Sequence, residues 1–255
     1  MSQPSLFLDI DGTLLELAGH PDAVTVPVFL PEILRRLDDK LHGALALASG
    51  RNIAAIDRLL SPYRGVAIGV HGLETRGRAG IVANHPLAMP TEALRREVAR
   101  IVQGYPGTFV EDKGSAIAVH VRGDAVAAGN LADALNVLCI RLGPGWHCLP
   151  GHRVIEIKPA GLNKGTGLES AMRLPPFAGT LPVVIGDDIT DLDMFEAGAR
   201  FGGLTVAVGD RIADDGHLHL KSPVEVLRFL KRWSESIREE SIADVATMLR
   251  QASTT

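Results

Sequence analysis

A chain of 255 residues has room for one large domain or two modest ones. With 46% hydrophobic and 22% charged residues, it has the balance of a soluble globular protein able to bury a core. The net charge of −4 and the scattered lysines and arginines argue against a nucleic-acid partner.

From the start of the chain, short apolar runs alternate with helical patterns. The first run, Ser5-Leu6-Phe7-Leu8-Asp9, follows no basic segment and is broken by aspartates, which argues against a signal peptide and for a cytoplasmic protein. No apolar run approaches the roughly 20 residues needed to span a bilayer, so no membrane partner is expected. Further runs cover 44–49, 66–70, 182–186 and 204–209, with apolar spacings of three and four at 31–41 and 52–60. Continuous runs of this length suit buried parallel strands, and their alternation with helices predicts a doubly wound α/β sheet.

The middle of the chain has another rhythm. A helix is predicted at 91–103, strands at 108–112 and 115–122, a second helix at 124–142, and strands at 145–149 and 152–157. Ile117, Val119 and Val121 alternate as in a sheet with one solvated face. This predicts a core formed by 1–77 and 158–255, interrupted by a small α+β insert over 78–157 that could be a weak αββ duplication. Cys139 and Cys148 form neither a metal-spaced set nor a disulfide framework and read as two reduced thiols. The tail, 235–255, is expected to hold one amphipathic helix and a frayed end.

Ligands of doubly wound sheets bind beyond the carboxyl ends of the strands, so those ends carry the functional information. The first reads Asp9-Ile10-Asp11-Gly12-Thr13, two carboxylates that can serve a hard cation and still leave an oxygen for attack; an ordinary acidic turn is the alternative. The second reads Ser49-Gly50-Arg51, either an anion site or a cap on the following helix. Lys164 precedes a helix and could face a phosphoryl group or solvent. Gly186-Asp187-Asp188-Ile189-Thr190-Asp191 crowds three carboxylates that need a compensating cation. The favourable field at a helix N-terminus accounts for Asp191, but not for Asp187 and Asp188 at the strand end.

In this order the four segments resemble the four motifs of the haloacid dehalogenase superfamily of phosphatases, and the insert resembles the larger α/β cap of its C2 class. Within it, His20-Pro21-Asp22 with Pro27, Ser49-Gly50-Arg51 and Val70-His71-Gly72-Leu73-Glu74 are similar to the trehalose-6-phosphate phosphatase family. So are Val110-Glu111-Asp112-Lys113-Gly114, His120-Val121-Arg122, Val154-Ile155-Glu156-Ile157-Lys158-Pro159 and Asn163-Lys164-Gly165. One departure is Leu192, where the family has a glutamate.

The resemblance implies that Asp9 is the nucleophile and Asp11 the general acid and base, with Lys164 completing the catalytic set. It implies Mg2+ held by Asp9, the Asp11 backbone carbonyl and Asp187, with Asp188 and Asp191 in support. Ser49, Gly50 and Lys164 would bind phosphate. Glu111, Lys113, Arg122 and Glu156 would bind a sugar, and the expected partner is a small sugar phosphate acted on by a monomer. Other sugar phosphates, such as sucrose-6-phosphate or mannosyl-3-phosphoglycerate, and an inactive sugar-phosphate sensor are the competing readings.

Overall fold

The computed structural model describes residues 3–18, 23–84, 90–121, 125–151, 153–214 and 216–253. The apolar runs do become strands: β1 (Pro4–Leu8), β2 (Leu45–Ala48), β3 (Val66–Gly69), β10 (Leu181–Gly186) and β11 (Leu204–Val208). The three central ones, β1, β2 and β10, are buried along almost their whole length, as expected for strands covered on both faces. Between them come helices α1 (Leu30–Lys40) and α2 (Ile53–Leu59), then the short strands β4 (Glu74–Arg76) and β5 (Val82–Asn84).

The insert supplies α3 (Glu92–Val102), β6 (Thr108–Asp112), β7 (Ile117–Val121), α4 (Ala125–Leu142), β8 (Trp146–Gly151) and β9 (Val154–Pro159). After it come α5 (Lys164–Met172), α6 (Ile189–Arg200), β12 (Leu218–Leu220), α7 (Pro223–Glu235) and α8 (Ile242–Ala252). Among these helices none is long and apolar enough to cross a membrane.

Among the described residues the first sheet has eight strands, in the order β12-β11-β10-β1-β2-β3-β4-β5. The six from β12 to β3 run parallel, and β4 returns antiparallel to β3. From β1 the chain winds outward through β2 and β3; from β10 it winds the other way through β11 and β12. The reversal therefore falls between β1 and β10, where such sheets open a crevice for ligands. Asp9 follows β1 and Asp187 follows β10, one on each side of that crevice.

The chain divides into two compact units, Met1–Ala83 with Asn163–Thr255, and Asn84–Leu162. The first unit keeps 78–83 because β4 and β5 extend its sheet. Its core runs from Leu6, Phe7 and Leu8 through Ile185 to Trp233. The second unit is a four-stranded antiparallel sheet, β6-β7-β9-β8, with its own core of Ile117, Val119, Ile155 and Ile157 against Leu94, Val98, Leu131 and Leu135. Its helix-hairpin order occurs twice, with β7 and β9 paired at the centre.

Candidate active site

Beyond β1 the backbone continues in register for one residue, Asp9 donating its N–H to the Ile185 carbonyl at 3.0 Å. The chain then turns tightly, with Gly12 N–H bonded to the Leu15 carbonyl at 2.7 Å. Gly12 makes this possible twice over. Its φ of +94° is open mainly to glycine, and a Cβ there would lie 2.2 Å from Asp187 Oδ2. The turn thus brings the Asp9 and Asp187 carboxylates into one cluster.

Asp9, Asp187 and Asp191 each place a carboxylate oxygen within 4.8 Å of the others, and all three are buried. Lys164, itself buried, bridges them, with Nζ 2.6 Å from Asp9 Oδ1 and 2.7 Å from Asp191 Oδ1. It is fixed as the first residue of α5, whose N-cap Asn163 exchanges hydrogen bonds with Thr166. Burial alone would lower the lysine's pKa, but Asp191 and Asp9 together raise it above the ordinary value, so the ammonium stays charged.

The two oxygens of Asp191 are both occupied. Oδ1 faces Lys164, and Oδ2 accepts the backbone N–H groups of Asp187 at 3.0 Å and Asp188 at 3.1 Å. Asp188 is the N-cap of α6, its carboxylate accepting the Ile189 N–H at 2.8 Å. The helix start therefore accounts for Asp188 as well as Asp191, which the sequence reading had not allowed. Leu192, at the position of the family's glutamate, is 39% exposed and stands outside the buried cluster.

Asp9 Oδ2 is buried and has no hydrogen-bond partner among the described residues, which distinguishes it from its own Oδ1. Burial raises the Asp9 pKa well above the usual carboxylate range; Lys164 opposes this, and Asp191 and Asp187 add to it. Asp187 is pushed up to about 7, first by burial and then by the Asp191 charge. An all-oxygen donor set and mutually repelling carboxylates together fit a hard divalent cation.

Asp11 faces elsewhere. Its carboxylate is gripped by Arg51, with Nε 2.7 Å from Oδ2 and Nη2 2.7 Å from Oδ1. Arg51 follows β2, so this fork joins the ends of two adjacent strands. Ser49 is buried and its Oγ accepts the Arg51 N–H at 3.1 Å. The cap of α2 is Asn52, whose Oδ1 accepts from Ala55 N–H at 2.8 Å, so Ser49 is not the helix cap. A Cβ on Gly50 would meet His71 Nε2 at 2.5 Å, and His71 itself is buried at a φ of +50°.

The sequence reading assigned no role to Arg51, His71, Thr13 or Arg211. Thr13 Oγ1 donates to Asp187 Oδ1 at 3.4 Å, and Arg211 lies 3.4 Å from Asp187 Oδ2 and 3.5 Å from Asp188 Oδ1. Arg51 could have been suspected from its place beside Ser49-Gly50, whereas Arg211 lies in a loop with no motif to mark it.

In the second unit, Lys113 pairs with Glu156 and both are buried. Glu111 Oε2 lies 2.7 Å from His120 Nε2, a contact that holds the Glu111 carboxyl below its usual range. The His120 ring stacks on Phe109 at 4.4 Å between centroids. Strand register places Glu111 opposite Ala118, and Ala118 opposite Glu156. Glu111, His120 and Glu156 therefore share the sheet face opposite the helices. Arg122, like His20, Pro21 and Asp22, lies outside the described residues.

A family model described as trehalose-phosphatase matches residues 7–219. A probable trehalose-phosphate phosphatase of Sinorhizobium fredii is 40% identical over 224 residues, covering 88% of this chain and 84% of that protein. The trehalose-6-phosphate phosphatase of Escherichia coli K12 is 39% identical over 210 residues, 80% of this chain and 76% of that protein. Among solved structures, the C-terminal domain of C. albicans trehalose-6-phosphate phosphatase has the same fold, with a TM-score of 0.80 at 24% identity over 92% of this chain and 93% of that one. The chain belongs to the trehalose-phosphatase family.

Proposed function

We propose that this family member hydrolyses trehalose 6-phosphate in two steps, with the phosphoryl group carried in between on Asp9. The observation that carries the reading is the asymmetry of the Asp9 carboxylate. Lys164 holds Oδ1 in place, and Oδ2 has no hydrogen bond among the described residues, so its lone pairs are available to phosphorus.

In the first step the Asp9 oxygen bonds to phosphorus as the bond to the sugar oxygen breaks, and Asp11 gives that oxygen a proton. In the second, Asp11 takes a proton from water as the water oxygen attacks phosphorus, which frees phosphate and restores Asp9. Lys164 stays protonated and offsets charge on the transferring group, and Ser49 Oγ donates to a phosphate oxygen beside the Gly50 backbone. Arg51 orients Asp11 for both proton transfers.

Mg2+ would be held by Asp9, the Asp11 backbone carbonyl and Asp187, with Asp191 fixing Lys164 and the backbone behind them and Asp188 capping α6. When bound, it supplies positive charge against the phosphoryl oxygens. Unit 84–162 acts as the sugar-recognition cap through Glu111, Lys113, Glu156 and Arg122, charged groups that can pair with the many hydroxyls of a disaccharide. The enzyme is read as a cytoplasmic monomer, since one chain supplies the whole acidic centre and the cysteines are unbridged thiols.

Phosphate release measured across a panel of sugar phosphates with Mg2+ tests the reading. Trehalose 6-phosphate should give the highest kcat/KM. A higher value for sucrose-6-phosphate or mannosyl-3-phosphoglycerate would overturn the substrate assignment.

A further inference from the structure

Strand β3 ends in a turn that the backbone makes under strain. Val70, His71 and Gly72 follow one another at φ of +45°, +50° and +94°. Of the three, glycine alone enters that region freely, and a β-branched valine there is an outlier. The turn is pinned to two segments of the site. On one side, Val70 N–H donates to the Arg51 carbonyl at 2.9 Å and His71 N–H to the Ser49 carbonyl at 3.1 Å. On the other, Gly72 approaches the cap of α5 so closely that a Cβ would lie 2.4 Å from the Asn163 carbonyl oxygen, next to Lys164. The His71 side chain is buried, and its Nε2 lies against the Gly50 backbone, where a Cβ would come within 2.5 Å of it.

We infer that His71 is a positioning residue for the phosphate-binding segment, its ring setting the place of the Ser49-Gly50 backbone through contact with Gly50. The inference rests on the reading of Ser49 and Gly50 as that segment. The turn alone would be served by glycine at position 71, which takes a positive φ without strain. Strained conformations persist where the surroundings over-determine them, and they gather at functional sites. What histidine adds over glycine is a rigid ring, and that ring is buried against Gly50. The backbone bonds from residues 70 and 71 hold the Arg51 and Ser49 carbonyls, and the ring closes on the residue between them. The Gly72 contact ties the same turn to the helix start that carries Lys164. Groups that meet the phosphate from β2 and from α5 are thereby referred to one fixed turn.

Inhibition of the full chain by inorganic phosphate, measured with Mg2+ alongside kcat/KM for trehalose 6-phosphate and p-nitrophenyl phosphate, tests the inference. His71→Gly relieves the backbone and removes the ring, so it should fold, as a thermal melt would show. It should nonetheless weaken phosphate inhibition and lower kcat/KM by about 10- to 100-fold, as a displaced binding group does. The loss should be equal on the two substrates, because they share the phosphate. His71→Asn also accepts a left-handed backbone; it should show the same losses, and it decides the matter if the glycine variant does not fold. Gly50→Ala should lose phosphate affinity in the native background and lose less in His71→Gly, where the added methyl meets no ring. Native affinity and turnover in the folded His71 variants, a loss confined to trehalose 6-phosphate, or losses at the two positions that simply multiply would overturn it. If Gly50→Ala itself keeps native phosphate affinity, the reading of the segment falls and the inference with it.

Discussion

Arg51 holds both oxygens of Asp11, through Nε and Nη2 at 2.7 Å each. A planar fork fixes a carboxylate in orientation as well as position, which an ammonium cannot do. Arg51→Ala should lower kcat about 10- to 100-fold with a smaller change in KM, because general acid and base catalysis contributes roughly 10²–10⁴. Arg51→Lys should recover little of the loss. Steady-state kinetics on both variants would check this.

Asp187 and Asp191 are adjacent in space yet should fail in different ways. Asp191 has neither oxygen to spare, whereas the Asp187 carboxylate, among the described residues, makes long contacts to Thr13 and Arg211. Removing Asp191 leaves Lys164 with Asp9 as its remaining ion pair and takes the acceptor from two backbone donors, and breaking a buried ion pair costs about 3–5 kcal/mol. Asp191→Ala should therefore shift the urea midpoint strongly. Asp187→Ala should leave the midpoint less changed and weaken Mg2+ binding by upwards of ~100-fold, as calorimetry would show.

Without metal, the protein should lose stability as pH rises. Asp187 is pushed up to about 7 by burial and by Asp191, against about 3.9 for an aspartate in an unfolded chain. The folded state then binds the proton more tightly, so the contribution is complete below about pH 4 and lost as pH rises through about 7. Asp9 shifts in the same direction. Urea midpoints in chelator should fall from about pH 5 to about pH 8 more steeply for the native protein than for Asp187→Asn. Mg2+ binding at about pH 6.5 should release protons, because the cation takes the carboxylate form.

The second unit should govern the choice of sugar. Glu111→Ala removes a carboxylate that His120 holds in position, and Glu111 belongs to the second unit whereas the acidic cluster belongs to the first. It should reduce kcat/KM for trehalose 6-phosphate by 10-fold or more (about 1.4 kcal/mol) and leave p-nitrophenyl phosphate turnover nearly unchanged. Equal losses on the two substrates would remove Glu111 from sugar recognition.

The strands that carry the cluster were readable in the sequence because burial on both faces makes them continuous apolar runs. The short strands β4, β5 and β12 were not, since three residues of mixed polarity have no period to detect. β3 was expected to reach Val70, but Val70 and His71 take φ of +45° and +50°, which a β-branched residue does not advertise. Helix α7 was legible in principle, as Val226, Phe229, Leu230 and Trp233 form one buried stripe just before the tail. At the site, residue types located Asp9, Lys164 and Asp187. They could not show that Asp191 is saturated by hydrogen bonds, or that Arg51 reaches across from β2 to Asp11, because both depend on tertiary distances.

The central claim is that phosphate passes through Asp9. The most direct measurement mixes enzyme, Mg2+ and trehalose 6-phosphate bearing radiolabelled phosphate, quenches with acid during turnover, and maps the protein-bound label. The expected result is an acid-stable, hydroxylamine-sensitive label on the peptide containing Asp9, absent from Asp9→Asn, which should release no phosphate. Label on another residue, or phosphate release at the native rate by Asp9→Asn, would contradict it.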